Sequence, residues 1–223
     1  TGALIGGVGY STYYEFGVSG TIMERNLFGK GYQTSLMALF SGRRTAYQWS
    51  FTNPRYDDTN LSVGYDAYNI RDEYTDFSKN TIGNTIRFAY PIGEYTTVGW
   101  GYRFDFYKLY DVNDDAAKII RDREGDNISS VAHGRITRDT TDSRENPTRG
   151  NITKIFTEYG GGILMGDDNF FKPTVQTEQY YQWRPNHVLH GRVRGGVVLE
   201  TSDEDVPVFE RFYIGGIDSI RGY

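Results

Sequence analysis

The chain has 223 residues, a formal net charge of −5 and no cysteine, and aromatic residues make up 16% of it against 38% hydrophobic residues in all. The length fits one domain, and the lack of cysteine excludes a disulfide framework, thiol catalysis and thiolate metal sites. The sequence has no basic stripe that would bind nucleic acid and no run of about 18 apolar residues that would form a membrane-spanning helix. A β-barrel remains open as a membrane architecture, because its signal is alternation of apolar and polar residues.

Alternating residues predict strands along the whole chain, and the segment 97–107 shows the pattern most clearly. The even-numbered residues from Val98 to Phe106 are apolar or aromatic, and the odd-numbered residues between them are small or charged. Because side chains i, i+2 and i+4 of a strand share a face, the segment has one apolar and one polar face. The same alternation, less pure, predicts eleven strands at 3–10, 15–25, 32–41, 45–52, 61–71, 81–92, 97–110, 127–138, 151–159, 170–183 and 187–200.

The connections between these strands alternate in length. Residues 91–96 and 184–186 are short, whereas 111–126, 162–169 and the stretch from residue 201 onward are long and charged. Short turns at one end and long polar loops at the other are typical of outer-membrane barrels. Within the first long loop, the sequence predicts a solvated segment with one or two helical turns at residues 116–121.

Two strands indicate that the polar face lines a hydrated interior. Glycine weakens a strand unless close packing requires it, so we expect Gly99 and Gly101 to face the lumen, against a plug or an inserted loop. In the last predicted strand, His190, Arg192 and Arg194 share one face. Cations side by side on an interior face favour a hydrated lumen over a dry core.

Tyrosines are frequent near the predicted strand ends. A phenol at this position keeps its ring in the lipid boundary and its hydroxyl in water. Tyrosine is also a good strand residue wherever it occurs, and both explanations stay open. The tyrosines concerned are Tyr10, Tyr13, Tyr14, Tyr90, Tyr95, Tyr107, Tyr110, Tyr180 and Tyr181.

The sequence predicts no catalytic residue and no metal site. It lacks the Gly-x-Ser-x-Gly and His-Glu-x-x-His motifs. His187 and His190 are three residues apart in a strand, so they point to opposite faces and cannot chelate one ion without a bulge. Segment 111–122 opens like a calcium loop but has Ala116 where glycine is expected and Asp122 where glutamate is expected. We therefore expect no cofactor.

The end of the chain carries its strongest motif. Residues 212–223 have the sequence Phe-Tyr-Ile-Gly-Gly-Ile-Asp-Ser-Ile-Arg-Gly-Tyr. This segment resembles the hallmark loop of the BamA family of outer-membrane β-barrel assembly proteins, in which an aromatic residue and a Gly-Gly pair precede an apolar-Arg-Gly-aromatic tetrapeptide. Segments 26–31, 51–54, 90–95 and 142–150 resemble turns of the same family, in the same order.

The resemblance implies an all-β fold, an antiparallel transmembrane β-barrel of sixteen strands in the outer membrane of Gram-negative cells, preceded by POTRA domains. Residues 1–200 would supply about eleven strands, and residues 201–223 would form a loop that inserts into the lumen. A bacterial single-chain barrel needs an even number of strands to close. We therefore expect residues 1–223 to be an incomplete portion of the barrel domain, without the POTRA domains and the closing strands.

The resemblance also implies a role for the loop. In the family, acidic residues of later strands hold the arginine of the tetrapeptide, since a guanidinium group pairs bidentately with carboxylates. The glycine beside it permits a close approach. The corresponding loop-anchor residues are Gly215, Gly216, Ile220, Arg221, Gly222 and Tyr223.

The first strand would form one side of a lateral gate, because the first and last strands of the family meet at a weak seam. Glycine at positions 2, 6, 7 and 9 leaves little side-chain packing between strands, so the seam should open easily. An open seam presents unpaired backbone groups to which a client strand can add. The gate-strand residues are Gly2, Ala3, Leu4, Ile5, Gly6, Gly7, Val8, Gly9 and Tyr10.

These features predict a protein that assembles and inserts β-barrel proteins into the outer membrane and has no enzyme activity, since strand addition requires neither a nucleophile nor a nucleotide. The implied partners are unfolded outer-membrane β-barrel proteins, accessory assembly lipoproteins and outer-membrane lipid, and no nucleic acid is implied. A two-partner secretion transporter of the same superfamily, a passive porin and a barrel hydrolase remain as alternatives.

Overall fold

The computed structural model of the chain describes residues 2–11, 15–202 and 206–212. Strands β1 to β11 form one antiparallel sheet in sequence order, and β12 pairs with β10. One short helix, α1 (Lys118–Arg121), and three 3₁₀ turns (Tyr56–Asp58, Gly162–Leu164 and Val208–Glu210) lie in the connections. The strands are β1 (Gly2–Ser11), β2 (Glu15–Leu27), β3 (Tyr32–Ser41), β4 (Arg44–Asn53), β5 (Ser62–Glu73), β6 (Ser78–Ile92), β7 (Thr96–Tyr110), β8 (Gly125–Asp139), β9 (Gly150–Gly160), β10 (Phe170–Arg184), β11 (His187–Gly196) and β12 (Leu199–Glu200).

The predicted all-β fold is confirmed, but the last predicted strand, 187–200, is interrupted. β11 ends at Gly196, and pairing with β10 resumes at Leu199. The break lies opposite Pro173, whose carbonyl oxygen accepts a hydrogen bond from the backbone N–H of Val197 at 3.2 Å. Proline has no N–H to donate back, so the ladder cannot continue at this position.

The two faces of the sheet differ as the alternation predicts. The face that we call inner carries the charged groups Asp66, Arg87, Arg103, Asp105, Glu158 and Lys172, which the strand register places on one side. The opposite, outer face carries large exposed apolar side chains from β1 to β11. They include Leu4, Val8, Phe16, Val18, Ile22, Leu36, Phe40, Trp49, Ile82, Ile86, Trp100, Phe106, Ile136, Ile155, Val175 and Val193.

Gly99 and Gly101 lie on the inner face, as expected, but the neighbouring strands rather than a plug pack against them. A Cβ atom at Gly101 would lie 2.4 Å from the carbonyl oxygen of Ile86 and 2.5 Å from Nε2 of His133. Glycine is therefore required at this position because the sheet itself is closely packed.

The connections predicted to be long lie at one end of the sheet, although a further ten-residue charged connection, 140–149, lies at the other end. We call the first of these ends the long-loop end, and it carries the segments 111–124 and 161–169 and the chain that follows β12. The opposite, short-turn end carries the predicted short turns, here 93–95 and 185–186. Among the described residues, no helix has the length and apolar character needed to cross a bilayer.

The first long loop is not simply solvated, which corrects one sequence-based expectation. Ala116 and Ile120 are buried in an apolar cluster with Phe77, Tyr107 and Leu109. The helical turn α1 therefore folds inward, because its apolar side chains find an apolar surface inside the mouth of the sheet.

Tyr107 also differs from the expected position at a lipid boundary. Its side chain is buried on the inner face, and its hydroxyl donates a hydrogen bond to Oδ1 of Asp168 at 2.7 Å. The same carboxylate oxygen lies 2.6 Å from Nη1 of Arg123. These contacts tie loops 111–124 and 161–169 to each other and to β7.

Candidate functional site

The predicted gate strand, β1, is an edge strand. It pairs with β2 along its whole length, and β11 lies at the far edge of the sheet. Within the described ranges β1 and β11 do not pair with each other, so the sheet is open. β1 and β11 each have one side that no described strand engages, and an edge of this kind pairs with a further strand through its backbone groups.

Glycine makes the packing between β1 and β2 sparse. Gly6 lies opposite Gly20, and Gly9 lies opposite Gly17. No atom comes within 4 Å of the position that a Cβ would take at Gly6, Gly9 or Gly20. Each cross-strand side-chain pair contributes roughly 0.2–1 kcal/mol to a sheet, and β1 lacks two such pairs with β2.

The outer face of β1 nevertheless remains apolar. Leu4 lies opposite Ile22 and Val8 lies opposite Val18, with 79% of Leu4 and 76% of Val8 exposed. An outer apolar face beside an unpaired edge suits a strand that borders lipid on one side and an incoming chain at its edge.

A second feature of the site is the segment 206–212, which we call the lumenal segment. It follows β12 and lies against the inner face of the sheet. Val206 is 3% exposed and packs in an apolar cluster with Val131 of β8 and Phe170 of β10. This burial places the start of the segment on the inner face of the sheet.

Glu210 connects the lumenal segment to two strands by charge. Its Oε1 accepts a hydrogen bond from Nη2 of Arg103 at 3.1 Å, and its Oε2 accepts one from Nζ of Lys172 at 3.1 Å. Arg103 also lies 3.4 Å from Asp105 and 3.8 Å from Glu158. One carboxylate therefore bridges β7 and β10, and the arginine lies beside three acidic groups.

Phe209 provides the apolar part of the same attachment. Its ring meets Tyr107 edge to face, with centroids 5.3 Å apart. The ammonium group of Lys79 lies 3.5 Å from the Phe209 ring centroid and 4.5 Å from that of Tyr107. A cation over an aromatic face is attracted by the ring quadrupole, so β6 holds the segment as well.

The predicted loop-anchor residues follow the described part of the chain. Gly215, Gly216, Ile220, Arg221, Gly222 and Tyr223 lie outside the described residues. The lumenal segment ends at Phe212, directly before the stretch that contains them. A Cβ at Gly196 would lie 2.6 Å from the ring of Phe212, so the end of β11 and the lumenal segment are in close proximity.

The histidines take positions that match a structural role. His190 lies on the inner face, where its ring stacks on Tyr180 at 4.5 Å, and its Nε2 lies 3.4 Å from Glu178. Nδ1 of His187 lies 3.2 Å from the carbonyl oxygen of Pro185. No group of three His, Cys, Asp or Glu side chains with metal-binding geometry occurs within residues 2–11, 15–202 and 206–212.

Sequence reasoning missed the attachment of Glu210. Alternation assigned Arg103 and Asp105 to the polar face, but it did not indicate which acid from a distant loop would meet Arg103. Glu210 sits in an irregular segment with no periodicity of its own, and Lys172 and Lys79 had no distinguishing pattern. Only the strand register brings these groups together.

An open antiparallel sheet with an apolar outer face, a charged inner face and a loop segment bound inside defines a portion of a transmembrane β-barrel. The model of the Omp85 superfamily domain matches residues 26–223. The chain therefore belongs to the Omp85 superfamily.

Individual relatives agree with this assignment. The chain is 71% identical over its whole length to the outer membrane protein assembly factor BamA of Nitratidesulfovibrio vulgaris, of which it covers 28%. It is 26% identical to BamA of Neisseria meningitidis serogroup B, with 92% of the chain and 28% of that protein covered. It is 24% identical to the human sorting and assembly machinery component 50 homolog, with 89% of the chain and 42% of that protein covered.

A solved structure shows the same fold. The crystal structure of BamA from Haemophilus ducreyi lacking POTRA domains 1–3 covers the whole chain with a TM-score of 0.84 at 17% identity, and the chain covers 46% of it. The chain thus spans less than half the length of these relatives. The resemblance to the BamA family is confirmed, and the chain is part of an outer-membrane β-barrel.

Proposed function

We propose that the protein containing this chain assembles β-barrel proteins and inserts them into the outer membrane, and that β1 is the strand to which clients add. The observation that carries the proposal is the sparse packing of β1, whose two Gly–Gly pairs to β2 leave it with few side-chain contacts. The names of the bacterial and human relatives, an assembly factor and a sorting and assembly component, support the same activity.

The physical basis is the cost of unpaired backbone in hydrocarbon. Each unsatisfied N–H or C=O group there costs several kcal/mol, so a client strand that enters the membrane gains by pairing with β1 at once. Sparse packing on β1 lets the edge bend away from the closing strand. This process needs no nucleophile, nucleotide or cofactor, and we propose that the protein works without catalysis.

We propose that Arg221 anchors the loop in the lumen, with Gly222 allowing its close approach and with Gly215, Gly216, Ile220 and Tyr223 completing the motif. The attachment of the preceding segment through Glu210 supports this role, since it directs the chain inward just before the motif. Acidic partners for Arg221 would come from later strands of the full protein.

The same proposal covers the rest of the full protein and its partners. Residues 1–223 would form the first part of a barrel domain, with POTRA domains before it and closing strands after it. We propose that the clients are unfolded β-barrel proteins and that accessory lipoproteins take part in their assembly. Outer-membrane lipid would surround the barrel.

The test is to lock the seam in the full-length protein. Cysteines placed in β1 and in the closing strand would form a disulfide across the seam, and client insertion would be measured in proteoliposomes before and after reduction. We expect insertion to stop when the seam is oxidised and to return when it is reduced. Normal insertion by the oxidised protein would contradict the gate.

A matched control keeps the disulfide but leaves the seam free. The pair Ser35→Cys and Ser50→Cys joins β3 to β4 at register partners and leaves β1 untouched, and this chain contains no native cysteine that could interfere. We expect this variant to insert clients when oxidised. A loss equal to that of the seam disulfide would mean that flexibility within the sheet, and not seam opening, is required.

A further inference from the structure

Residues 161–166, which we call the outer loop, cover an edge of the sheet. The ladder between β8 and β9 starts at Val131 and Gly160, so residues 125–130 of β8 extend past the end of β9. The chain leaves β9 and turns back over this extension before it enters β10.

Backbone hydrogen bonds fix the turn in place. The N–H of Gly161 donates to the carbonyl oxygen of Ser130 at 3.1 Å, and the N–H of Asp167 donates to that of Ile128 at 2.7 Å. The N–H of Ile128 donates to Oδ2 of Asp167 at 2.6 Å. Three backbone groups on this edge of β8 are thereby paired with protein groups rather than with water, and such pairing is favoured at membrane depth.

The loop lies on the outer face and not in the lumen. Ser130 faces outward, opposite Phe104, yet it is fully buried. Its Oγ donates to the carbonyl oxygen of Leu164 at 2.7 Å. A Cβ at Gly166 would lie 3.1 Å from the backbone nitrogen of Ser130, so the loop backbone rests directly on β8.

The loop turns its apolar side chains away from the protein. Ile163 is 86% exposed and Met165 is 83% exposed, and residues 161–166 contain no charged residue. The neighbouring long loop behaves in the opposite way, since it buries Ala116 and Ile120 inside the mouth. Two large apolar side chains this exposed in a fixed loop indicate a contact outside the protein.

Backbone conformation contributes to this orientation. Gly161, Gly162 and Met165 have φ of 69°, 55° and 56°. The two glycines adopt the left-handed region without strain, but Met165 has a Cβ and does not. A strained conformation persists only where the surrounding structure holds it, and such positions are often functional.

The loop sits at the rim of the outer apolar band. Ile128, to which it is hydrogen-bonded, lies opposite Phe106, and Phe106 lies opposite Ile82. Phe106 is 55% exposed and Ile82 is 54% exposed. The next outward pair toward the long-loop end is charged, with Lys108 3.8 Å from the exposed Asp126.

We propose that the outer loop is a lipid-contact site, in which Ile163 and Met165 insert among the acyl chains of the leaflet at the long-loop end. The occupant is lipid because the loop continues the apolar band that already faces the bilayer, and because residues 161–166 carry no charge. The loop thus widens the apolar footprint of the barrel at this rim and covers the edge of β8.

The test places a fluorophore at the loop in the full-length protein. Single variants Ile163→Cys and Met165→Cys, in a background without other cysteines, are labelled with an environment-sensitive dye and reconstituted into phosphatidylcholine vesicles. We expect blue-shifted emission, a loss of emission with spin-labelled phosphatidylcholine as large as at Phe106→Cys, and protection from aqueous iodide. Lys118→Cys, exposed in the other long loop, should show the reverse pattern.

Two outcomes would overturn the proposal. Quenching by iodide and not by spin-labelled lipid at both positions would place the side chains in water. Protection from both quenchers, with emission that changes as the protein-to-lipid ratio rises, would mean that a second protein copy covers the loop. Since both substituted side chains are exposed, folding is not at risk, and the shift in gel mobility on heating checks it.

Discussion

Arg103 in β7 donates a hydrogen bond to Glu210, a residue 107 positions later in the chain, at 3.1 Å. Both groups are partly buried: the side chain of Arg103 is 27% exposed and that of Glu210 is 12% exposed. The pair joins the wall of the barrel to the segment that leads into the arginine-glycine motif. The lumenal segment is therefore held by a charge contact that lies outside the motif.

Replacing Arg103 should lower the stability of the protein more than replacing Glu210. Arg103→Ala leaves three carboxylates, Glu210, Asp105 and Glu158, without their shared cation, whereas Glu210→Gln leaves Arg103 two acidic neighbours. We expect a loss of about 2 kcal/mol in the free energy of unfolding for Arg103→Ala and a smaller loss for Glu210→Gln. Urea unfolding of the full-length protein, followed by gel mobility, measures both.

The control for this pair is Lys172→Arg, which keeps a cation within reach of Glu210. It should unfold at nearly the wild-type urea concentration. Equal destabilisation by Arg103→Ala and Glu210→Gln would show that the acidic neighbours of Arg103 do not need its charge.

Filling the glycine pairs of the gate strand should slow client insertion. Gly6→Val with Gly9→Val adds side chains where no atom lies within 4 Å of the new Cβ, so they fit, and valine stabilises a paired strand that glycine weakens. If the two side chains together strengthen the sheet by roughly 1 kcal/mol, insertion should slow by about fivefold. Insertion rates in proteoliposomes provide the measurement.

The matched control is Gly191→Val in β11, where a Cβ also meets nothing within 4 Å. We expect this variant to insert clients at the normal rate. An equal slowing by both substitutions would show that the effect is general to the sheet.

Gly101→Ala should destabilise the barrel, because its Cβ would lie 2.4 Å from the backbone oxygen of Ile86. Backbone within a paired strand cannot shift freely, so we expect a loss of about 1–3 kcal/mol, as for other overpacked sites. Gly195→Ala has open space at the same atom and should be neutral. Thermal unfolding of the two variants distinguishes them, and equal stability would contradict the close packing of the inner face.

The turn 140–149 should resist mild acid. Oδ1 of Asp142 accepts the backbone N–H groups of Thr148 at 2.8 Å and Arg149 at 3.1 Å, and the Thr148 hydroxyl donates to Oδ2. These hydrogen bonds lower the pKa of Asp142 to about 2. Because the pKa is depressed on folding, the stabilisation is complete above about pH 4 and is lost as the pH falls through about 2.

Hydrogen exchange of the turn amides between pH 5 and pH 2 measures this effect. The rates need correction for the intrinsic pH dependence of exchange. Asp142→Asn should remove the transition, since an amide does not titrate in this range. Opening of the wild-type turn already at pH 4 would contradict the depressed pKa.

The strands could be predicted from the sequence because a strand places successive side chains on opposite faces, whatever the rest of the protein does. The alternation from Val98 to Phe106 therefore predicts an outer face, and Gly99 and Gly101 mark the inner one. The resemblance implied a weakly held first strand, and the glycines at positions 2, 6, 7 and 9 favoured the same interpretation. The break opposite Pro173 could not be predicted from the sequence, since the effect of the proline depends on which residue of β11 lies opposite it.

The contacts on the inner face could be identified only from the tertiary structure. The sequence by itself determined the alternation, the apolar band and the motif at the end of the chain, because these depend on neighbouring positions. Only the tertiary structure decided that Glu210 meets Arg103 and Lys172, that Ile120 turns inward and that Ile163 and Met165 turn outward. Such contacts join residues far apart in the chain, and strand register and curvature, which no local pattern encodes, set their distances.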